Sequence, residues 1–243
     1  MERLSSDLAH RFLQVEENLK VIKHNINEAA IKSGRNADDI KLLAATKTVS
    51  AQVINHAISL GINCIGENKV QELVSKYGDL DLSNCELHMI GHLQTNKVKQ
   101  VVGKVDMIES VDSIRLANEI AKISLQKNIQ TDVLIELNIG KEENKSGVMP
   151  ENLEEFVYQL SEIKGINVRG IMSIPPICEK KSNVTRIFSE INHFFIDIQH
   201  KKVDNINMEY LSMGMSGDYV EAILQGANIV RIGSLLFGNR NYN

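Results

Sequence analysis

A lysine stands at the end of the first unbroken apolar run of the chain. Leu42 to Ala45 are apolar or small, and Thr46 and Lys47 follow them directly. Such a run is typical of a strand that is buried on both faces. An amine at the end of a buried strand can act as a nucleophile toward an aldehyde. Most lysines lie at protein surfaces, so the run alone favours an ordinary solvated Lys47, and other residues must decide.

Two small, polar segments near the C-terminus have the composition of an anion site. The first spans residues 212–218 and leads into a predicted helix, and the second spans residues 230–234. Backbone N–H groups and hydroxyls in segments of this kind suit a phosphate. The residues predicted to supply hydroxyls and backbone donors are Ser212, Ser216, Gly233 and Ser234.

Arg231 lies within the second segment and is predicted to point inward from the last strand. Because an unpaired buried charge is costly, Arg231 needs a partner. A carboxylate of the protein, such as Glu109 or Glu136, is the structural alternative, and a hydrogen-bond acceptor on a ligand is the functional one. Pyridoxal 5′-phosphate (PLP) would satisfy the whole set, with its aldehyde on Lys47, its phosphate on the two segments and its ring nitrogen near Arg231.

The elements that must position these residues are eight predicted strands separated by predicted helices. Strict alternation favours a parallel sheet, and 243 residues suit a single (β/α)8 TIM barrel over residues 1–243. An open, doubly wound sheet remains the alternative. An amphipathic helix over residues 6–32 precedes the barrel and would lie outside it or cap its lower end. The predicted strand ends share one rim, which includes Lys47, Glu67, Asn68, His92, Asn138, Ser173, Ser212 and Gly233.

Composition narrows the class of protein. The net charge of −4 offers no basic surface for nucleic acid, and no run approaches the length of a membrane-spanning helix. The three cysteines, Cys64, Cys85 and Cys178, suggest no disulfide framework, and the sequence begins without a signal segment. We therefore expect a cytoplasmic protein. The histidines and cysteines show no metal-ligand spacing, so no metal site is predicted.

Several segments together resemble the YggS/PROSC family of pyridoxal-phosphate homeostasis proteins. They cover nearly the whole chain in order, and the set is highly specific. The matching segments are residues 44–48 (AATKT), 65–72 (IGENKVQE), 88–97 (HMIGHLQTNK), 145–147 (KSG), 169–172 (RGIM), 211–216 (LSMGMS) and 230–233 (VRIG).

The resemblance implies a fold-type III barrel that holds PLP as a Schiff base on Lys47. Related barrels, the alanine racemases and ornithine decarboxylases, place an arginine near the pyridine nitrogen, which Arg231 matches. The cofactor-binding residues expected on this basis are Lys47, Asn68, Ser212, Met213, Gly214, Ser216, Arg231, Gly233 and Ser234.

Two functions follow from this resemblance. One is a monomeric protein of PLP homeostasis that holds the cofactor and passes it to apo-enzymes; the other is an amino-acid racemase or decarboxylase. Racemases of this barrel type carry a second domain and a catalytic tyrosine, whereas six residues follow Phe237 here and include Tyr242. The homeostasis function is therefore predicted. The polar loop at residues 141–147 is interpreted as solvated, with phosphate or partner contact as the alternative.

Overall fold

The computed structural model describes residues 2–142, 144–176 and 180–238. Within these ranges eight parallel strands close into a barrel in the order β1 to β8, and β1 pairs with β8 from Lys41 opposite Ile229. The closed barrel excludes the open sheet that pattern alone allowed. The strands are β1 (Lys41–Ala45), β2 (Cys64–Glu67), β3 (Glu86–Met89), β4 (Met107–Val111), β5 (Thr131–Leu137), β6 (Ile166–Ser173), β7 (Ile206–Met215) and β8 (Ile229–Ile232).

Helices follow the strands and cover the outside of the barrel. Their apolar faces pack on the strands, and this layer between sheet and helices holds most of the hydrophobic core. The helices are α1 (Glu2–Lys32), α2 (Ala51–Ser59), α3 (Val70–Lys76), α4 (Val98–Val101), α5 (Ile114–Gln126), α6 (Leu153–Ser161), α7 (Lys181–Lys201), α8 (Tyr219–Leu224) and α9 (Ser234–Phe237).

The leading helix α1 lies outside the barrel, as one of the two predicted placements had it. Its buried apolar residues pack against α2, α8 and α9. Two hydrogen bonds fix its position, from Asn25 Nδ2 to the Tyr219 hydroxyl at 2.9 Å and from Asn18 Nδ2 to the Leu236 carbonyl at 3.0 Å. Helix α1 is therefore attached to the segments that follow β7 and β8.

The barrel interior is more polar than the helix-facing layer. Side chains that are almost completely buried there include Glu109, Ser212 and Arg231, which lie on three different strands. Charged groups in such a place must be paired. One difference from the sequence analysis concerns β7, which continues to Met215, so that the predicted phosphate segment begins inside a strand.

The remaining sequence-based expectations concern the cysteines, residues outside the described ranges and membrane-spanning helices. Cys178, Glu143 and Tyr242 lie outside the described residues, and the cysteines that the structure describes, Cys64 and Cys85, are free thiols. Among the described residues, none of the helices combines the length and apolar character that crossing a membrane requires.

Candidate functional site

A cavity of about 630 Å³ opens at the C-terminal rim of the barrel, between α1 and the ends of β1, β2 and β8. Four of the predicted cofactor-binding residues line it: Lys47, Asn68, Gly233 and Ser234. The closed barrel thus brings the Lys47 amine, from the N-terminal part of the sequence, to the same cavity as the small residues Gly233 and Ser234 near the C-terminus. This is the rim where TIM barrels carry their functional groups.

The turn after β1 holds Lys47 between two anchored threonines. Thr46 is completely buried, and its hydroxyl donates to Glu67 Oε1 at 2.7 Å. Thr48 has a left-handed φ of 65°, uncommon for a β-branched residue, and its N–H donates to Glu72 Oε2 at 2.7 Å. Both neighbours of Lys47 are therefore fixed by carboxylates of the next βα unit.

Lys76 contacts both of the carboxylates that hold this turn. Its ammonium lies 2.7 Å from Glu67 Oε1 and 3.1 Å from Glu72 Oε2, and it donates to the Thr46 carbonyl at 3.1 Å. Burial acts to raise the pKa of Glu72, but the Thr48 N–H and the Lys76 ammonium outweigh it and hold that pKa below its usual range. The network keeps the Lys47 turn in one conformation.

Two backbone N–H groups converge at the predicted phosphate site. The N–H groups of Gly233 and Leu235 both donate to Ser216 Oγ, each at 3.3 Å. An anion oxygen requires donors gathered in this way. In the structure both N–H groups donate to Ser216 Oγ, so a phosphate oxygen would have to replace that hydroxyl oxygen as their acceptor.

Ser212, Met213 and Gly214 are buried in β7, and none of the three lines this cavity. Gly214 has a φ of +91°, and a Cβ there would lie 2.5 Å from Ala222 Cβ and 3.0 Å from Tyr219 Cα. Its smallness therefore lets β7 approach α8 closely. This is a packing role, and the direct cofactor contact expected of Gly214 stays a prediction.

Replacing Gly214 with alanine is expected to destabilise the protein by about 1–3 kcal/mol, because it adds an overlapping methyl group at a left-handed φ. Gly217 is the matched control, since it lies at the same rim with open space around the position of a Cβ. Urea denaturation of both alanine variants measures the difference. Equal midpoints for the two variants would contradict this account of Gly214.

Arg231 lies beneath the rim with its guanidinium held by two protein groups. Nη1 donates to Ser212 Oγ at 2.6 Å and Nη2 donates to the Ser173 carbonyl at 2.9 Å. Ser212 in turn donates to Glu109 Oε2 at 2.6 Å. Burial lowers the pKa of Arg231, and the charge of Glu109 opposes that effect. Glu109, one of the two predicted structural partners, thus reaches Arg231 through a serine hydroxyl.

Sequence reasoning missed the contribution of α1 to the cavity. Asp7, His10, Arg11 and Gln14 line it opposite the strand ends. Their spacing of three and four residues places them on one face of the helix. This polar stripe was visible in the sequence, but only the docking of α1 shows that it lines the same open cavity as Lys47.

Comparisons with known proteins agree with this architecture. A model of the alanine racemase N-terminal domain matches residues 18–241. A pyridoxal phosphate homeostasis protein of Aquifex aeolicus is 44% identical over 226 residues, which are 93% of this chain and 98% of that protein. The protein of the same name from Escherichia coli (strain K12) is 34% identical over 241 residues, 98% of this chain and 99% of its own.

The chain belongs to the pyridoxal phosphate homeostasis protein family. The family resemblance found in the sequence is thus confirmed. A solved structure of PipY from Synechococcus elongatus, with PLP bound, matches with a TM-score of 0.81 and 29% identity, over 92% of this chain and 100% of PipY. The predicted barrel is confirmed by this match and by the closed sheet.

The polar loop at residues 141–147 of this homeostasis-family chain follows the C-terminal end of β5. In the described part of the 141–147 loop, Lys145 pairs with Glu142 at 2.5 Å and Lys141 pairs with Glu151 at 3.0 Å. Ser146 donates to Glu136 Oε1 at 2.8 Å, and burial raises the pKa of Glu136. Both lysines thus have carboxylate partners and are partly exposed, which agrees with the solvated interpretation of this loop.

Proposed function

We propose that the chain binds PLP, holds it as a Schiff base on Lys47 and thereby takes part in intracellular PLP homeostasis. The observation that carries this proposal is the single cavity lined by both Lys47 and Gly233, beside two N–H groups that converge on Ser216 Oγ. An amine for an aldehyde and donors for a phosphate are the two groups that PLP requires. The PLP-bound PipY neighbour and the names of the relatives support the same assignment.

When bound, PLP would supply an aldehyde for covalent attachment and a pyridine ring that stabilises negative charge. The protein's own residues would orient it. The turn anchored by Thr46 and Thr48 holds the Lys47 amine, while the Gly233 and Ser216 region holds the phosphate. Arg231 stays charged because guanidinium groups do not lose their proton in proteins. An arginine near the ring nitrogen would therefore leave that nitrogen unprotonated and make the cofactor a weaker electron sink.

We further propose that the chain acts as a single-domain, cytoplasmic monomer that passes PLP to apo-enzymes. The relatives named for homeostasis match over almost their full length, which favours this function over a racemase or decarboxylase. The PLP-loaded protein is expected to activate a PLP-dependent apo-enzyme at a rate exceeding that of PLP released freely into solution. It is also expected to show no amino-acid turnover above the background of free PLP.

Two assays on the same preparation test this proposal. One follows activation of an apo-enzyme with and without a trap for free PLP, and the other is a chiral assay across the common amino acids. Activation abolished by the trap would rule out direct transfer. Sustained turnover of one amino acid, lost in Lys47→Ala protein, would instead establish the enzyme function.

The phosphate contacts give a separate prediction. Replacing Gly233 with leucine is expected to weaken PLP binding at least about tenfold, because the side chain fills the cavity beside the N–H donors and phosphate hydrogen bonds of about 1.5–3 kcal/mol are lost. Pyridoxal, which lacks the phosphate, should bind wild-type and variant protein similarly and weakly. Gly217→Leu is the matched control, since the space around Gly217 is open. Equal affinity of the wild type for PLP and pyridoxal would contradict the phosphate site.

A further inference from the structure

A second cluster of chemically active side chains lies at the opposite, N-terminal opening of the barrel. Cys64 begins β2, Glu86 begins β3, and His88 follows two residues later. His88 Nε2 lies 3.6 Å from Cys64 Sγ and 3.1 Å from Glu86 Oε2, and the three atoms all lie within 4.8 Å of one another. The PLP site proposed above uses none of these residues.

We propose that Cys64, Glu86 and His88 bind a divalent cation that accepts thiolate ligands, with Zn²⁺ as the type. Tetrahedral Zn²⁺, with bonds of ~2.3 Å to sulfur and ~2.0 Å to nitrogen and oxygen, separates sulfur from nitrogen by about 3.5 Å and nitrogen from oxygen by about 3.3 Å. The two separations from His88 Nε2 in the cluster are 3.6 and 3.1 Å. These two separations therefore already match those between neighbouring ligands of a tetrahedral ion.

The contacts of His88 support its role as a metal ligand. Its Nε2 faces both Cys64 and Glu86, but one ring nitrogen carries at most one hydrogen and serves only one of them well. A cation between the three side chains would be bound by His88 Nε2, Cys64 and Glu86 together. The other ring nitrogen, Nδ1, lies 2.6 Å from Glu109 Oε1. A carboxylate on the far side of the ring is the usual arrangement around metal-bound histidine, where it fixes the tautomer and the ring orientation.

Access and charge are consistent with this site. Cys64 and His88 are completely buried, while the Glu86 side chain is 46% exposed and lies between them and solvent. Lys41 Nζ lies 2.5 Å from Glu86 Oε2, which anchors the carboxylate at the opening. On binding, the Cys64 thiol releases its proton to solvent, and water completes the coordination. One thiolate and one carboxylate then neutralise the charge of the ion.

Metal titration of the untagged, chelator-treated protein tests the proposal. Zn²⁺ is expected to bind with one-to-one stoichiometry by calorimetry, and Co²⁺ to give tetrahedral visible bands with a thiolate charge-transfer band. Cys64→Ser and His88→Gln should each weaken Zn²⁺ binding at least about 100-fold, and Glu109→Gln about 10–100-fold. Cys85→Ser is the matched control, because Cys85 is also buried and free but directs its thiol to the Glu86 carbonyl.

X-ray absorption at the zinc edge of the wild-type protein gives a measurement that depends on no variant. One sulfur ligand with nitrogen and oxygen ligands is the expected first shell. Wild-type protein that binds Zn²⁺ no more tightly than Cys64→Ser, or a zinc shell without sulfur, would overturn the proposal. In that event the cluster is a network of buried polar groups that closes the barrel floor. Because Lys47 and Gly233 are far along the strands from this opening, failure here leaves the PLP proposal untouched.

Discussion

Lys47→Ala protein treated with PLP and then borohydride is expected to carry essentially no covalently attached cofactor. Borohydride converts a Schiff base into a stable bond, so the reduced wild-type protein should yield a modified peptide that contains Lys47. In the part of the chain that the structure describes, Lys47 is the lysine that lines the rim cavity. The alanine variant keeps the cavity and loses the nucleophile. The visible absorbance band of the bound cofactor should disappear with it.

Peptide mass spectrometry and absorbance spectra measure this loss. Lys69→Ala is the matched control, because Lys69 is exposed just before α3 and the cavity lining does not depend on it. The control should retain the wild-type yield of adduct. An equal yield of reducible adduct from Lys47→Ala protein would show that another lysine is the site of attachment.

Arg231→Leu is expected to reduce the free energy of unfolding by about 3–5 kcal/mol, because it removes the guanidinium charge near the buried Glu109 carboxylate, which then keeps only its contacts with His88 and Ser212. Burial acts to raise the pKa of Glu109, but the hydrogen bond and charge of His88, the charge of Arg231 and the hydrogen bond from Ser212 together outweigh burial and lower that pKa. Removing the guanidinium also leaves the Ser173 carbonyl without its donor. Urea denaturation followed by circular dichroism measures the change.

A double substitution separates the stability lost with the charge of Arg231 from the stability lost with its packing. Arg231→Leu combined with Glu109→Gln removes both charges, so it should recover part of the stability lost in Arg231→Leu alone. Lys181→Leu, which breaks an exposed pair with Glu221, is the control and should change the stability little. A double variant no more stable than Arg231→Leu would mean that the charge of Glu109 does not cause the loss.

The order and type of the elements could be read from the sequence. Buried parallel strands are apolar along their whole length, whereas the covering helices are apolar on one face, and these two patterns alternate along this chain. Lys47, Asn68 and Gly233 could be identified because a barrel gathers the ends of its strands at one rim. The inward position of Arg231 followed from its place within the last predicted strand. These inferences needed only periodicity, residue type and the family motifs.

The contacts between distant segments were decided by tertiary structure. The stripe from Asp7 to Gln14 faces the cavity because α1 docks on α8 and α9, and amphipathic periodicity does not say which neighbour a helix will choose. The Ser212 hydroxyl lies between Arg231 and Glu109 because of the stagger between β4, β7 and β8. Neither the contact of α1 with the cavity nor the position of Ser212 between the two charges can be predicted from the local sequence.

The cluster of Cys64, Glu86 and His88 is the clearest case of a contact that the sequence did not predict. No metal site was predicted, since Cys64 and His88 have none of the short spacings that metal motifs use. The register of β2 and β3 places Cys64 beside Glu86 and Gly66 beside His88, and residues paired in this way point to the same face. Sequence alone determined that these strands would form and be buried. Only their register, set by packing over the whole closed barrel, decided which side chains would meet inside it.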